Sequence, residues 1–259
     1  MQVRWMVWMA LVLPGILGCS NRSPSAAPKK IPKPDTPSPT QQVSIETDEA
    51  LERKRRSIAI LKASRIPVMD GLPVIEAESA SVRRSANEVA VRAMALCVVA
   101  CKGEGLEQEV VQSLIKKFQL ETAFTPEEVA FLENPSPTQH ERTQFVWRYE
   151  CYWVLLWALG HIETLERPDS ICDVKLAVSI LRDLGREGFI QKAKYRSQRE
   201  ILDEADLIYR YHWAIVDARI NRRKPPAGLD GDVIQERHHA FNWLIGYLDQ
   251  EWDEVSTDT

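Results

Sequence analysis

Glycine is scarce in this sequence, with 11 residues in a chain of 259. So few glycines leave little room for a sheet-rich fold with many tight turns. The sequence also lacks a glycine-rich phosphate loop and a nucleophile elbow. Long runs with apolar residues at a spacing of 3.6 occur instead, so the sequence predicts an all-α fold.

Histidine and cysteine are too few, and wrongly spaced, for a metal centre. Of the five histidines only His238 and His239 are neighbours, and adjacent helical residues point about 100° apart. Cys97 and Cys101 have no matching second pair, and no acidic cluster has the spacing of a metal loop. We therefore predict neither a metal nor a cofactor.

Positive charge forms no patch along the chain, whose formal net charge is -4. A clustered basic face is the electrostatic mark of proteins that bind nucleic acid. We therefore expect no nucleic-acid partner, and the identity of any protein partner stays open.

Four cysteines lie beyond residue 19, and outside the cytoplasm they could pair. Cys97 and Cys101, one helical turn apart, have poor geometry for a disulfide. Cys151 lies in a strongly apolar run and is expected to be inert. The redox state of these residues and of Cys172 is left open.

The first 19 residues resemble a bacterial lipoprotein leader. Arg4 precedes an apolar stretch that is too short to span a bilayer, and the stretch ends at Ile16-Leu17-Gly18-Cys19. We expect residues 1–18 to be a signal peptide and Cys19 to be lipidated, which would anchor the protein to a membrane of the cell envelope, the outer membrane in a Gram-negative cell. An ordinary secretory signal and an uncleaved N-terminal anchor are the alternatives.

A proline-rich segment follows the leader. Prolines interleaved with serine, threonine and lysine cannot build a core, so residues 19–49 are predicted to be a disordered linker. Its prolines are Pro24, Pro28, Pro32, Pro34, Pro37 and Pro39.

The remaining residues, 50–259, suit a single globular multi-helix domain. The prolines of this part fall between segments of helical periodicity, as an all-α fold requires. The pattern predicts helices near 52–64, 82–102, 106–118, 126–132, 139–160, 173–184, 199–221 and 231–249.

The helix near 139–160 carries the strongest apolar run and is predicted to be the central, buried helix. Arg148 and Glu150 lie at the start of this run, where an unpaired charge would cost several kcal/mol. Each is expected to find a partner, and a structural ion pair is favoured over a catalytic carboxylate.

The helix near 199–221 has one apolar and one charged face. His212 lies within the apolar face, where a neutral, hydrogen-bonded core histidine is favoured over a ligand or a base. Asp206, Arg210 and Asp217 lie on the other face. Because Asp206 and Arg210 are four residues apart, we expect them to form a surface ion pair on a solvated face.

The last long helix places Arg237 at the centre of an apolar stripe, with Glu236 at its edge. Arginine keeps its charge when buried, so Arg237 must meet a carboxylate, and the candidates are Glu150, Asp206 and Asp217. His238 and Asn242 project the other way. These charged and polar residues together form a candidate polar network between helices.

Several segments resemble the bacterial family catalogued as domain of unknown function 4272. They include Arg148-Tyr149-Glu150 with the tryptophan-rich run behind it, the segment from Ile201 to Ala214, the segment from Glu236 to Leu244, and Trp252 to Thr259. Arg56 to Leu61 and Leu72 to Ile75 resemble the family's opening, so the similarity covers about residues 53–259. The resemblance implies a shared fold and no particular activity or catalytic residue.

We therefore interpret the chain as a membrane-tethered, non-enzymatic binding or interaction domain. One alternative is a hydrolase-like enzyme that uses a carboxylate and a histidine in a pocket between helices. Another is an immunity-type protein that sequesters a toxin with an acidic face. A polar pocket that joins two candidate residues would favour the enzyme, and a closed core with paired charges would favour the binding domain.

Overall fold

The computed structural model describes the backbone of residues 39–259 and the side chains from residue 48 onward. The predicted signal peptide, Cys19 and the linker up to residue 38 lie outside the described residues. Within the described part of the chain every regular element is helical and no strand occurs, which confirms the all-α prediction. The α-helices are α1 Pro39–Ala63, α2 Ala86–Gly103, α3 Gln108–Lys117, α4 Pro126–Glu133, α5 Gln139–Val146, α6 Arg148–Ala158, α7 Val174–Gln191, α8 Gln198–Ile220 and α9 Gly231–Leu244.

Helix starts follow the capping chemistry of the sequence. Ser85, Thr125, Thr138 and Ser197 each accept the backbone N–H of a glutamate three residues on, and that glutamate accepts the N–H of the cap in return. This reciprocal arrangement satisfies backbone donors that the first helical turn leaves unpaired. It places the starts of α2, α4, α5 and α8.

Helix ends were harder to predict. The helix predicted over 231–249 ends at Leu244, since Gly246 adopts a left-handed backbone with φ +66° and two short 3₁₀ turns, Tyr247–Asp249 and Trp252–Glu254, follow. The helix predicted over 139–160 divides at Trp147, where a tighter turn carries the bond from the Glu150 N–H to the Trp147 carbonyl. Helix α1 starts at Pro39, so it overlaps the segment predicted as linker.

Two buried helices form the centre of the domain. On α6 every side chain from Tyr149 to Ala158 is buried, as predicted for the central helix. It packs against α9 and against α2, and most residues along α2 are buried. Helix α9 also packs on α8, and α1 covers the far side of α8. The polar residues that the sequence singled out therefore lie between layers of helix.

Candidate functional site

Arg237 and Glu150 form a buried ion pair between α9 and α6. The Arg237 Nε atom donates to Glu150 Oε2 at 3.0 Å, and the two side chains are 4% and 2% exposed. The second carboxylate oxygen accepts the backbone N–H of Cys172 at 2.5 Å, and Arg237 also donates to the Glu166 carbonyl at 2.7 Å. Of the three candidate partners of Arg237, the structure thus selects Glu150, and both oxygens of its carboxylate accept a hydrogen bond.

A second ion pair lies beside the first. Arg148 on α6 donates to Glu236 on α9 at 2.9 Å, and both side chains are partly buried. The Cys151 thiol donates to the same carboxylate at 3.2 Å, and burial raises the pKa of this thiol well above its ordinary value. Cys151 is therefore a protonated core residue, consistent with its predicted inertness.

Asp206 and Arg210 are buried, so the prediction of a surface pair was wrong. The guanidinium binds the carboxylate through two bonds, Nε to Oδ2 at 2.8 Å and Nη2 to Oδ1 at 2.7 Å, and the side chains are 0% and 2% exposed. The Pro73 carbonyl accepts a further bond from Arg210 at 3.2 Å. Helix α1 and the segment after it cover this face of α8, which a single-helix pattern cannot reveal.

Asp217 stands apart from these pairs. It interacts with Arg223 and accepts a hydrogen bond from Asn221 near the end of α8, at the surface. It is therefore not the partner of Arg237.

His212 on α8 and His238 on α9 contact each other inside the domain. Their Nδ1 atoms are 2.8 Å apart, so one ring donates to the other. Burial lowers the pKa of His212 to about 4 and that of His238 to about 3, which keeps both rings neutral at pH 7. The described structure brings no carboxylate into hydrogen bonding with either ring, and Asn242 bonds instead to the Ser256 carbonyl at 2.7 Å.

An open groove, which the sequence did not predict, lies at the starts of α2 and α4. We call it the tryptophan groove, and its volume is about 620 Å³. The segment after α9 forms one wall. Its lining residues are Arg84, Asn87, Glu88, Val91, Arg92, Ala123, Phe124, Thr125, Pro126, Trp243, Glu251, Trp252, Asp253 and Glu254.

Two tryptophans meet on the inner side of this groove, and an arginine lies against each of their rings. Arg84 lies 4.3 Å from the ring centroid of Trp243, and Arg92 lies 4.7 Å from that of Trp252. The two indole rings meet edge to face with centroids 5.3 Å apart. Such cation–π and aromatic contacts link the four side chains to one another.

The outer rim of the tryptophan groove is acidic. Glu88, Glu251, Asp253 and Glu254 are all exposed there. Asp253 accepts the Glu127 N–H at 3.3 Å, which joins the wall to the start of α4. Hydrogen bonds from Ser85 lower the pKa of Glu88, so it is ionised well below neutral pH.

The sequence held only indirect signals of this groove. Its residues come from four separate segments, and no periodicity links Arg84 and Phe124 to Trp252. The pattern predicts the helix near 126–132, and Trp252 stands out as an aromatic residue among acids. Neither observation predicts that the segments meet.

Among residues 39–259 no helix is long and apolar enough to span a bilayer. No group of three or more histidine, cysteine or acidic side chains in this part could hold a metal ion. The four cysteines whose redox state was left open are free thiols.

Comparison with known proteins gives one match. No curated protein and no solved structure matches the chain. A family model described as Domain of unknown function (DUF4272) matches residues 53–255, which are most of the chain and nearly all of the helical domain. The match includes α6, α8, α9 and the Trp252 wall of the groove. The chain therefore belongs to the DUF4272 family.

Proposed function

We propose that this chain is a non-enzymatic binding domain that holds its partner in the tryptophan groove and is tethered to a cell-envelope membrane through lipid on Cys19. The observation that carries the binding function is the groove itself. Its volume falls within the range of ligand sites, roughly 300–1,000 Å³. Arginine, which lines it at the partly exposed Arg84, is also among the residues that most often dominate binding energy at protein interfaces.

The pairing of buried charges supports binding rather than catalysis. Glu150 is bonded to Arg237, and Asp206 is held by both arms of Arg210. A general acid or base must instead be free to exchange a proton with a substrate. His212 is bonded to another buried histidine, so the carboxylate and histidine pair that the enzyme alternative requires has no counterpart among these residues. The immunity-type alternative stays a prediction.

Photo-crosslinking in cells tests the binding function. A photoreactive amino acid would replace Glu254 on the groove rim and, as the matched control, Glu187 on α7, which is also exposed. We expect a discrete adduct from position 254 that the charge reversal Glu251→Lys removes and that position 187 does not form. Equal adducts at both positions, or none at 254, would contradict the proposal.

The tether has its own test. The sequence Ile16-Leu17-Gly18-Cys19 supports lipidation of Cys19, because the small Gly18 precedes the cysteine and an apolar stretch precedes both. Metabolic labelling with a palmitate analogue should mark the wild-type chain and leave Cys19→Ala unlabelled. Unlabelled wild-type protein in the soluble fraction would contradict the tether but not the binding function.

A further inference from the structure

We propose that the partner held in the tryptophan groove is an extended peptide segment that carries lysine or arginine beside apolar residues. This inference rests on the proposed binding function and names the chemistry of its partner. It follows from three properties of the groove: the charge left uncompensated at its rim, the hydrogen-bond donors left unpaired on two of its lining residues, and the apolar side chains among its lining.

The uncompensated charge of the groove is negative. Arg92 is paired with Glu128, and Arg84, whose side chain donates to the neutral carbonyls of Trp243 at 2.8 Å and Gln250 at 3.2 Å, leaves one positive charge against the four exposed carboxylates of the rim. Glu251 and Glu254, by contrast, form no ion pair among the described residues. An exposed acidic rim attracts a cationic partner and repels an anionic one.

The unpaired donors distinguish a peptide from a simple cation. Arg92 Nε and Trp252 Nε1 are buried and have no hydrogen-bond acceptor among the described residues, and their side chains are 6% and 3% exposed. A buried donor without an acceptor is costly, so a ligand that supplies one gains affinity. A peptide backbone supplies carbonyl oxygens, whereas a polyamine or a metal ion supplies none. Because both N–H groups are covered in the free protein, we expect the groove wall to adjust on binding.

The groove also offers apolar surface to a partner. Val91, Ala123 and Phe124 line it. Lysine and arginine bury their aliphatic stems on such a surface while their charged ends stay in water. An extended segment can therefore place a basic end at the rim and an apolar neighbour against the groove.

Fluorescence anisotropy with the full-length protein tests this proposal. The probe is a labelled twelve-residue peptide that alternates lysine with leucine and proline, and its counterpart carries glutamate in place of lysine. We expect the lysine peptide to bind, the glutamate peptide to bind at least about tenfold more weakly, and raised salt to reduce affinity.

Variants then locate the site. Glu251→Lys with Glu254→Lys should weaken binding at least about tenfold, whereas the matched control Glu109→Lys with Glu187→Lys, exposed acids elsewhere, should have a much smaller effect. Trp252→Phe keeps an aromatic ring but removes the N–H, and it should weaken peptide binding by about fivefold, the worth of one hydrogen bond. The melting temperature of each variant is measured alongside, so that loss of folding is separated from loss of binding.

Some results would contradict the peptide proposal alone, and others would also contradict the binding function. Stronger binding of the glutamate peptide, full displacement of the lysine peptide by equimolar spermine, or a dimer whose interface covers the groove would each overturn the proposal. If neither peptide binds while the crosslinked adduct at position 254 persists, the partner class is wrong and the binding function stands. If the adduct is also absent, both proposals fail.

Discussion

Arg237 and Glu150 are 87 positions apart in the chain and 3.0 Å apart in space, where their bond joins α9 to α6. Both are almost fully buried, so each depends on the other for its charge to be tolerated. The free energy of unfolding should therefore respond strongly to the loss of either partner.

We expect Arg237→Ala to lower the free energy of unfolding by about 3–5 kcal/mol, because Glu150 would be left buried and unpaired. Lysine at the same position should recover only part of the loss, since it lacks the planar fork. Urea unfolding measures the change. Arg223→Ala, which removes an exposed partner of Asp217, is the control and should stay within about 0.5 kcal/mol of wild type.

The Asp206 and Arg210 pair makes a second test of burial. Because the pair is buried, Asp206→Ala should lower the free energy of unfolding by about 3–5 kcal/mol. The loss of a surface pair would lower it by only a few tenths of a kcal/mol, on the order of 0.3. Glu52→Ala breaks the exposed pair with Arg55 on α1 and serves as the control. A cost for Asp206→Ala as small as that of Glu52→Ala would show that α1 does not cover this face.

Stability should fall as the pH drops from 6.5 to 5. His212 and His238 have pKa values of about 4 and about 3 in the folded protein, below the ordinary value of 6.5. The unfolded chain therefore binds more protons than the folded protein in this range. Each histidine should lower the free energy of unfolding by about 2 kcal/mol at pH 5 relative to pH 7. Urea unfolding at a series of pH values measures the slope.

Variants identify the groups responsible for that slope. His212→Asn with His238→Asn should reduce the slope but not abolish it, because burial also lowers the pKa of His239 to about 3, whereas His140→Gln, at an exposed position on α5, should leave it unchanged. A slope as steep in the double variant as in the wild type would assign the pH dependence to other groups.

Gly160 lies where a side chain does not fit. Its φ is +71°, and an added Cβ atom would lie 2.6 Å from the Lys194 carbonyl oxygen. Gly160→Ala should therefore cost at least about 1 kcal/mol. Gly71→Ala, where nothing lies within 4 Å and φ is not positive, should be within about 1 kcal/mol of wild type and on the stabilising side. Thermal unfolding of the two variants makes the comparison.

Sequence pattern predicted the features that depend on one helix at a time. Arg237 interrupts an apolar stripe, and that interruption correctly predicted its burial and its pairing with a carboxylate, with Glu150 as one of three candidates. The same reasoning misplaced Asp206 and Arg210, because whether a charged face meets water depends on which other helix covers it. Periodicity along α8 contains no information about α1.

The tryptophan groove could not be predicted for a related reason. Trp243 and Trp252 are brought together by the left-handed turn at Gly246, and Arg92 meets Trp252 from a helix about 160 positions earlier. Local propensity can place a cap such as Thr125, but it cannot state which distant segments will surround it. The site is a product of tertiary packing.

The groove wall formed by residues 251–254 is joined to the rest of the domain through an exposed turn. It follows the 3₁₀ turn in which Leu248 is 65% exposed and both Leu248 and Asp249 have positive φ. A protease that cleaved this turn would sever the covalent link to Trp252 and Asp253 without cutting any of the nine α-helices described for residues 39–259. The groove wall would then be held only by noncovalent contacts, chief among them the packing of the buried Trp252 ring on Arg92 and Trp243.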